Sequence, residues 1–83
     1  MPLDKSIKTV QEYGYIELRL KEWMDQNDIT RGTLARNTDT RYEVINKWYQ
    51  GHVEKMDLDV LARICCVLDC EVSDIIQYKK VEN

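Results

Sequence analysis

Between Thr30 and Gly51 the chain reads as two short helices joined by a tight turn, and this stretch restricts the fold more than any other. Thr30 is placed to cap a first helix whose apolar contacts are Leu34 and Ala35. The smallness of Ala35 matters: a second helix must cross close to it, and a bulkier side chain would push the pair apart. Asp39 falls where the chain reverses. Like Asn, Asp tolerates the left-handed conformation such a turn needs, although Gly adopts it at lower cost. Thr40 followed by Glu43 has the spacing of a capping box, in which hydroxyl and carboxylate each satisfy an amide left without a partner at the start of a helix. Val44, Ile45 and Trp48 then form a stripe that can face a core, and Gly51, just past Gln50, is a C-terminal stop.

With Ile45 and Trp48 pointing inward, Arg41, Tyr42, Glu43, Asn46 and Lys47 lie on the outer and leading faces of the second helix, and Arg31 opens the preceding helix alongside them. Polar side chains on the first turns of such a helix are where base edges are met in the major groove. Glu43 has two competing uses. Its carboxylate can accept from cytosine N4, but the capping box would occupy it locally, and the cap takes precedence. The Tyr42 ring can lie against a thymine methyl or a sugar-phosphate. Arg41 and Lys47 would be plain solvated charges elsewhere on a surface; their place on this face makes them candidates for bases or phosphates. Arg31, Thr33, Arg36, Thr40 and Tyr49 are the candidate phosphate contacts.

The net charge of −3 argues against a generic nucleic-acid binder, since neutralising phosphates calls for an excess of Lys and Arg. Distribution qualifies the sum. From Arg31 to Lys55 there are five basic residues against three acidic ones, a local +2, while the remainder carries seven against twelve, a local −5. A modestly positive face on an acidic body suits selective DNA binding, because the body repels non-specific DNA. It suits a protein-binding surface equally well.

Eighty-three residues make one domain, and a 43% hydrophobic, 33% charged composition is ordinary for a globular chain. No apolar run approaches the ~20 residues that span a bilayer, and Met1–Ser6 lacks the apolar block of a secretory signal, so a cytoplasmic protein without membrane contact is expected. Residues 1–14 show no period and are expected to form an N-terminal arm. Tyr15–Gln26 is predicted helical, with Ile16, Leu20, Trp23 and Met24 as its buried stripe and Glu17 pairing with Lys21. Asn27-Asp28 ends it. Asp57 caps a further helix carrying Leu58, Leu61, Ile64, Cys65 and Leu68, which Asp69 closes; Val72–Tyr78 is predicted as the last helix, and residues 79–83 as a polar tail. With no strand pattern in view, the expected class is all-α.

Three cysteines leave at least one outside any disulfide in a single chain. Cys65 and Cys70 are expected as small buried apolar side chains and Cys66 as a partly exposed thiol, in preference to a redox or metal role. Trp23 and Trp48, at core spacing, read as packing and not as a ligand pocket. One histidine, no glycine-rich phosphate loop and no nucleophile–base arrangement argue against catalysis, and no cofactor or metal is expected.

From about Ile16 to Tyr78 the chain resembles the phage repressor and Cro-like (Xre-like) family of bacterial helix-turn-helix regulators. The matching residues are Leu34-Ala35, Thr40, Ile45 and Gly51, followed by Leu61, Ile64, Cys65, Leu68, Val72, Ile75 and Ile76. It looks like the compact branch of that family, with little beyond the DNA-binding domain. The chain departs from the family pattern at Asp39 in place of a turn Gly, Thr38 in place of an aliphatic, and Trp48 in place of a smaller aliphatic. The resemblance implies a five-helix lambda-repressor-like DNA-binding domain over residues 15–78, with Tyr42, Glu43 and Lys47 at base-reading positions and Arg31 at a phosphate. A double-stranded DNA-binding regulator is therefore expected, acting as a homodimer on a palindromic operator, with Ile75, Ile76 and Tyr78 or the N-terminal arm as the dimer contact. The competing expectation is a protein-interaction module of the same fold, antitoxin-like or regulator-binding, with little DNA affinity.

Overall fold

The computed structural model of the protein describes residues 13–81. In chain order the elements are β1 (Tyr15–Leu18), α1 (Leu20–Gln26), α2 (Arg31–Asn37), α3 (Tyr42–Gln50), α4 (Leu58–Leu68), α5 (Val72–Ile75) and β2 (Ile76–Lys79). The stops between helices are chemically uniform. Asp28, Asp39 and Asp69 take φ values of 56°, 52° and 52°, and Gly51 takes 77°, so left-handed residues reverse the chain after each of the first four helices. Asp tolerates this conformation because its short carboxylate finds local partners, as Asn does. Side-chain caps begin α2 and α4. The amide of Thr33 donates to Thr30 Oγ1 (3.2 Å), and the amides of Asp59 and Val60 donate to Asp57 Oδ1 (2.9 and 3.4 Å).

Two ends depart from the all-helical expectation. Residues 15–18, predicted as the first turn of α1, form β1, and residues 76–78, predicted to continue the last helix, form β2 together with Lys79 from the predicted tail. The two strands pair antiparallel with Tyr15 opposite Lys79, Ile16 opposite Tyr78, Glu17 opposite Gln77 and Leu18 opposite Ile76. The domain is therefore helical but not strictly all-α. Tyr and Ile suit a pleated surface at least as well as a helix, and the pairing partner lies some sixty residues away, beyond any local periodicity. The Arg19 amide donates to the Ile75 carbonyl (2.6 Å), tying the inner end of the sheet to α5. Ile16, expected in the buried stripe, is 59% exposed. The helical Glu17–Lys21 pair is absent as well. Glu17 faces Lys79 across the sheet at 3.8 Å and Arg19 at 4.0 Å, while Lys21 bonds Asp25 at 2.9 Å.

Every helix sends at least one side chain to a single core: Leu20 and Met24 from α1, Leu34 and Ala35 from α2, Ile45 and Trp48 from α3, Val60, Leu61 and Ile64 from α4, and Ile75 from α5. Ile75 is wholly buried, so it cannot serve as the dimer contact expected of it. The reason is the shortness of α5: four residues place one side chain inward, and the strand that follows keeps Ile76 against the edge of the core while carrying Tyr78 out to 54% exposure. Trp48 is 3% exposed and Trp23 half-buried, so both tryptophans pack. Cys65 and Cys70 are half-buried and Cys66 is exposed. The Cys70 thiol is pushed up to about 12, by burial first and then by the neighbouring Cys65, which keeps it protonated. Among the described residues no helix is long and apolar enough to cross a membrane, and no group of three or more His, Cys, Asp or Glu side chains is placed to hold a metal ion.

Candidate nucleic-acid interface

The turn between α2 and α3 is braced from the side. Thr38 is 2% exposed, and its hydroxyl donates to the Leu34 carbonyl (2.7 Å), so a polar residue sits in an aliphatic's place with its hydrogen bond satisfied. Arg63 on α4 reaches across to the turn, and its Nη1 donates to the Thr38 carbonyl (3.2 Å), the Asp39 carbonyl (3.1 Å) and Thr40 Oγ1 (3.4 Å), while its Nη2 pairs with Asp59. A guanidinium with its fork of donors suits this work, because two turn carbonyls have no helical partner. The angle between α2 and α3 is thus fixed from three directions: the small Ala35 at the crossing, the left-handed Asp39, and the arginine clamp.

The capping box expected at the head of α3 does not form. Arg41, extended at φ −65° and ψ 146°, is the N-cap, with no side-chain hydrogen bond to the helix start. This sets Glu43 at the second helical position, one short of the third position a box requires. Thr40 instead donates its hydroxyl to the Thr38 carbonyl (3.0 Å). Glu43 is therefore released from local duty and stands exposed at the positive end of the helix dipole.

Helical spacing defines what α3 presents. Ile45 and Trp48 face the core, so Glu43, Asn46, Lys47 and Gln50, at i, i+3, i+4 and i+7, form the opposite stripe. Glu43, Lys47 and Gln50 are exposed and Asn46 is partly covered. Arg41 and Tyr42, both exposed, stand at the leading end, where they share a shallow groove with Gly32 and Arg36 of α2. Gln50, named in no candidate set above, belongs to this stripe; counting i+7 from Glu43 finds it.

Arg31, Thr33, Arg36, Thr40 and Tyr49 do not form one phosphate-facing set. Arg36 is exposed and lies along α2, with Nη2 donating to Thr33 Oγ1 (3.4 Å). Thr40 belongs to the turn. Arg31 and Tyr49 are drawn together on the flank of α3: the Arg31 guanidinium lies 4.6 Å from the Tyr49 ring centroid, and its Nη1 donates to Asn46 Oδ1 at 2.7 Å. Tyr49 in turn donates its hydroxyl to Asp25 Oδ1 (2.8 Å), and Lys21 donates to Asp25 Oδ2 (2.9 Å). Asp25 is held below the usual carboxylate range, chiefly by the Lys21 hydrogen bond and next by that of Tyr49, and the Tyr49 phenol is raised by the same bond to Asp25. Lys21 and Asp25 are an i, i+4 pair within α1 that helical spacing could have found, whereas the bond from Tyr49 to Asp25 and the reach of Arg63 to the turn cross helices, at distances no local window spans.

The sequence profile described as a Cro/C1-type HTH DNA-binding domain matches residues 19–80. No curated protein matches the chain. Among solved structures, a Bacteroides fragilis protein described as DNA-binding superposes with a TM-score of 0.67 at 19% identity, covering 76% of this chain and all of its own. The transcriptional regulator VanUg superposes with a TM-score of 0.64 at 22% identity, covering 90% of this chain and all of its own. These likenesses speak for the fold. The order α2, braced turn, α3 inside a five-helix core, and a profile match over most of the chain, place this protein in the Cro/C1-type helix-turn-helix DNA-binding domain family.

Proposed function

We propose that the protein is a sequence-specific regulator of transcription that lays α3 along the major groove of double-stranded DNA. The observation that carries this reading is the outward stripe of exposed Glu43, Lys47 and Gln50 with the half-exposed Asn46, on a helix whose opposite side is locked into the core. Arg41, Tyr42, Glu43, Asn46 and Lys47 are the proposed base-reading set. Arg36, Thr33, Arg41 and Lys47 are the proposed phosphate contacts beside it, and Thr40 and Tyr49 are proposed to contribute by holding neighbours in place. One helix offers few base contacts, so we take the working form to be a homodimer on a palindrome with half-sites about one helical turn (~34 Å) apart. With Ile75 buried, the dimer contact passes to Ile76 and Tyr78, joined by the exposed Ile16 opposite Tyr78 on β1.

Salt dependence tests the reading against its rival, in which the same fold engages another protein. Mobility-shift titrations on a random-sequence duplex pool at two salt concentrations should show affinity falling by roughly 0.9 log units per log unit of salt for each phosphate neutralised. Absence of binding at low salt would transfer the case to a protein partner, with the exposed Ile16 and Tyr78 as the place to look for it.

A further inference from the structure

We infer that Arg31 and Asn46 work as one unit that selects a keto base, guanine or thymine, over adenine or cytosine. The inference rests on α3 entering the major groove as proposed above. A guanidinium carries donors only, so the 2.7 Å contact with Arg31 compels Asn46 to turn its amide oxygen toward α2. The assignment of oxygen and nitrogen, ordinarily ambiguous for an asparagine, is settled here by the chemistry of the neighbour. The Nδ2 group makes no hydrogen bond among the described residues and is not among their buried unsatisfied atoms, so it is not sealed from solvent and its N–H groups are left for a ligand.

Orientation becomes selectivity because the amide cannot rotate freely. Arg31 is held by the Tyr49 ring, and Tyr49 is anchored through its hydroxyl to Asp25, which also takes the Lys21 ammonium. Reversing the Asn46 amide would set two donor groups against each other, Nδ2 against Nη1. Reading adenine requires both ends of an asparagine amide, with the oxygen accepting from N6 while the nitrogen donates to N7. Here the oxygen already faces a cation, whose charge opposes a second N–H at the same atom. What remains is a pair of donors. Guanine offers N7 and O6 and thymine offers O4, acceptors without a competing donor, whereas adenine and cytosine each present an amino group.

Selection of bound sequences from a random duplex pool tests this with the wild-type chain and three variants, each checked for folding by its helical circular-dichroism melt. The wild type should favour guanine or thymine roughly tenfold at one position of each half-site. Asn46→Asp keeps the partnership with Arg31 but presents acceptors alone, and should invert that position to cytosine or adenine. Arg31→Met removes the donor that orients the amide and should admit adenine there, while Arg31→Lys, also donor-only, should retain the keto preference. An adenine or cytosine preference in the wild type at the position that responds to Asn46→Asp, or no responding position at all, overturns the inference and leaves groove insertion standing. Failure of the folded wild-type chain to enrich any duplex overturns groove insertion, and this inference with it.

Discussion

The helix-turn-helix of α2 and α3 and the two-stranded sheet formed by the two ends of the described chain are held by different means. In the first, the start of α2 and the stops of both helices are decided within a few residues: Thr30 caps, Asp39 reverses, Gly51 ends, and Leu34 and Ile45 are wholly buried. In the second, four residues pair with four others across the length of the domain. Leu18 and Ile76 lean on the core, while Ile16 and Tyr78, one step further along the same face, stand 59% and 54% exposed. Local signals and full burial coincide where α3 is held against the core. Long-range pairing and partial exposure coincide where the domain is available to another surface.

The largest expected effect separates the two regions on stability. Ile45→Ala removes a fully buried side chain behind the outward stripe and should cost about 2–5 kcal/mol. Ile16→Ala, on the exposed end of the sheet, should stay within about 0.5 kcal/mol. Urea unfolding of both variants checks the ordering, and an Ile16→Ala cost near that of Ile45→Ala would mean the sheet end is buried in solution, as in a stable dimer.

The same contrast explains which features were legible in the sequence. Asp28, Asp39, Gly51 and Asp69 all end helices as expected, because a left-handed stop depends on one residue's own φ. The capping box at Thr40 failed by a single position: with Thr40 recruited to the turn by the Thr38 carbonyl and Arg63, α3 starts at Tyr42 and Glu43 falls one residue short. That outcome belongs to α4, twenty residues downstream, and no reading of residues 40–43 alone contains it. Strands β1 and β2 escaped for the same reason. Of the expected site residues, those on α3 sit on or beside its outward stripe because helical spacing alone places them. The stacking of Arg31 on Tyr49, and their links to Asn46 and Asp25, cross three helices and so left no trace along the chain.

Arg63→Met should have the next largest effect. It deletes the charged donor shared by the Thr38 and Asp39 carbonyls while keeping most of the stem, and should cost about 1–2 kcal/mol, toward the lower end for a partly exposed hydrogen bond. Duplex affinity should fall by more than this stability loss explains, because the clamp sets the angle at which α3 leaves the turn. Equal affinity of variant and wild type under conditions where both are folded would show that Ala35 and Asp39 suffice to set it.

At the sheet, a Cβ on Gly14 would run into the backbone carbonyl of Lys79, so Gly14→Ala must push the strands apart where the Gly14 amide donates to the Tyr78 hydroxyl (2.8 Å). The cost is capped, since this outermost step can open while Leu18 and Ile76 stay packed, and about 1 kcal/mol is expected. Amide exchange should rise near Tyr15 and Lys79 and stay unchanged in α2 and α3. Faster exchange in α3 would contradict the separation of the two regions.

The smallest effect concerns the brace behind Arg31. Asp25 titrates below the usual carboxylate range because Lys21 and then Tyr49 donate to it, so its ionised form favours the fold. The contribution is present above the pKa Asp25 has in the unfolded chain, and it is lost as pH falls through the lower folded value. Both donors are exposed and the effect is screened by solvent, so the titration itself is the better readout. Tyr49→Phe keeps the ring under the Arg31 guanidinium but removes one donor, and should move the Asp25 midpoint upward, as followed by its carboxyl carbon resonance. Lys21→Met, removing the larger cause, should move it further. If Tyr49→Phe leaves the midpoint in place, the hydroxyl does not reach Asp25 in solution. Arg31 then stacks on an unanchored ring, and the orientation of Asn46 depends on the Arg31 hydrogen bond alone.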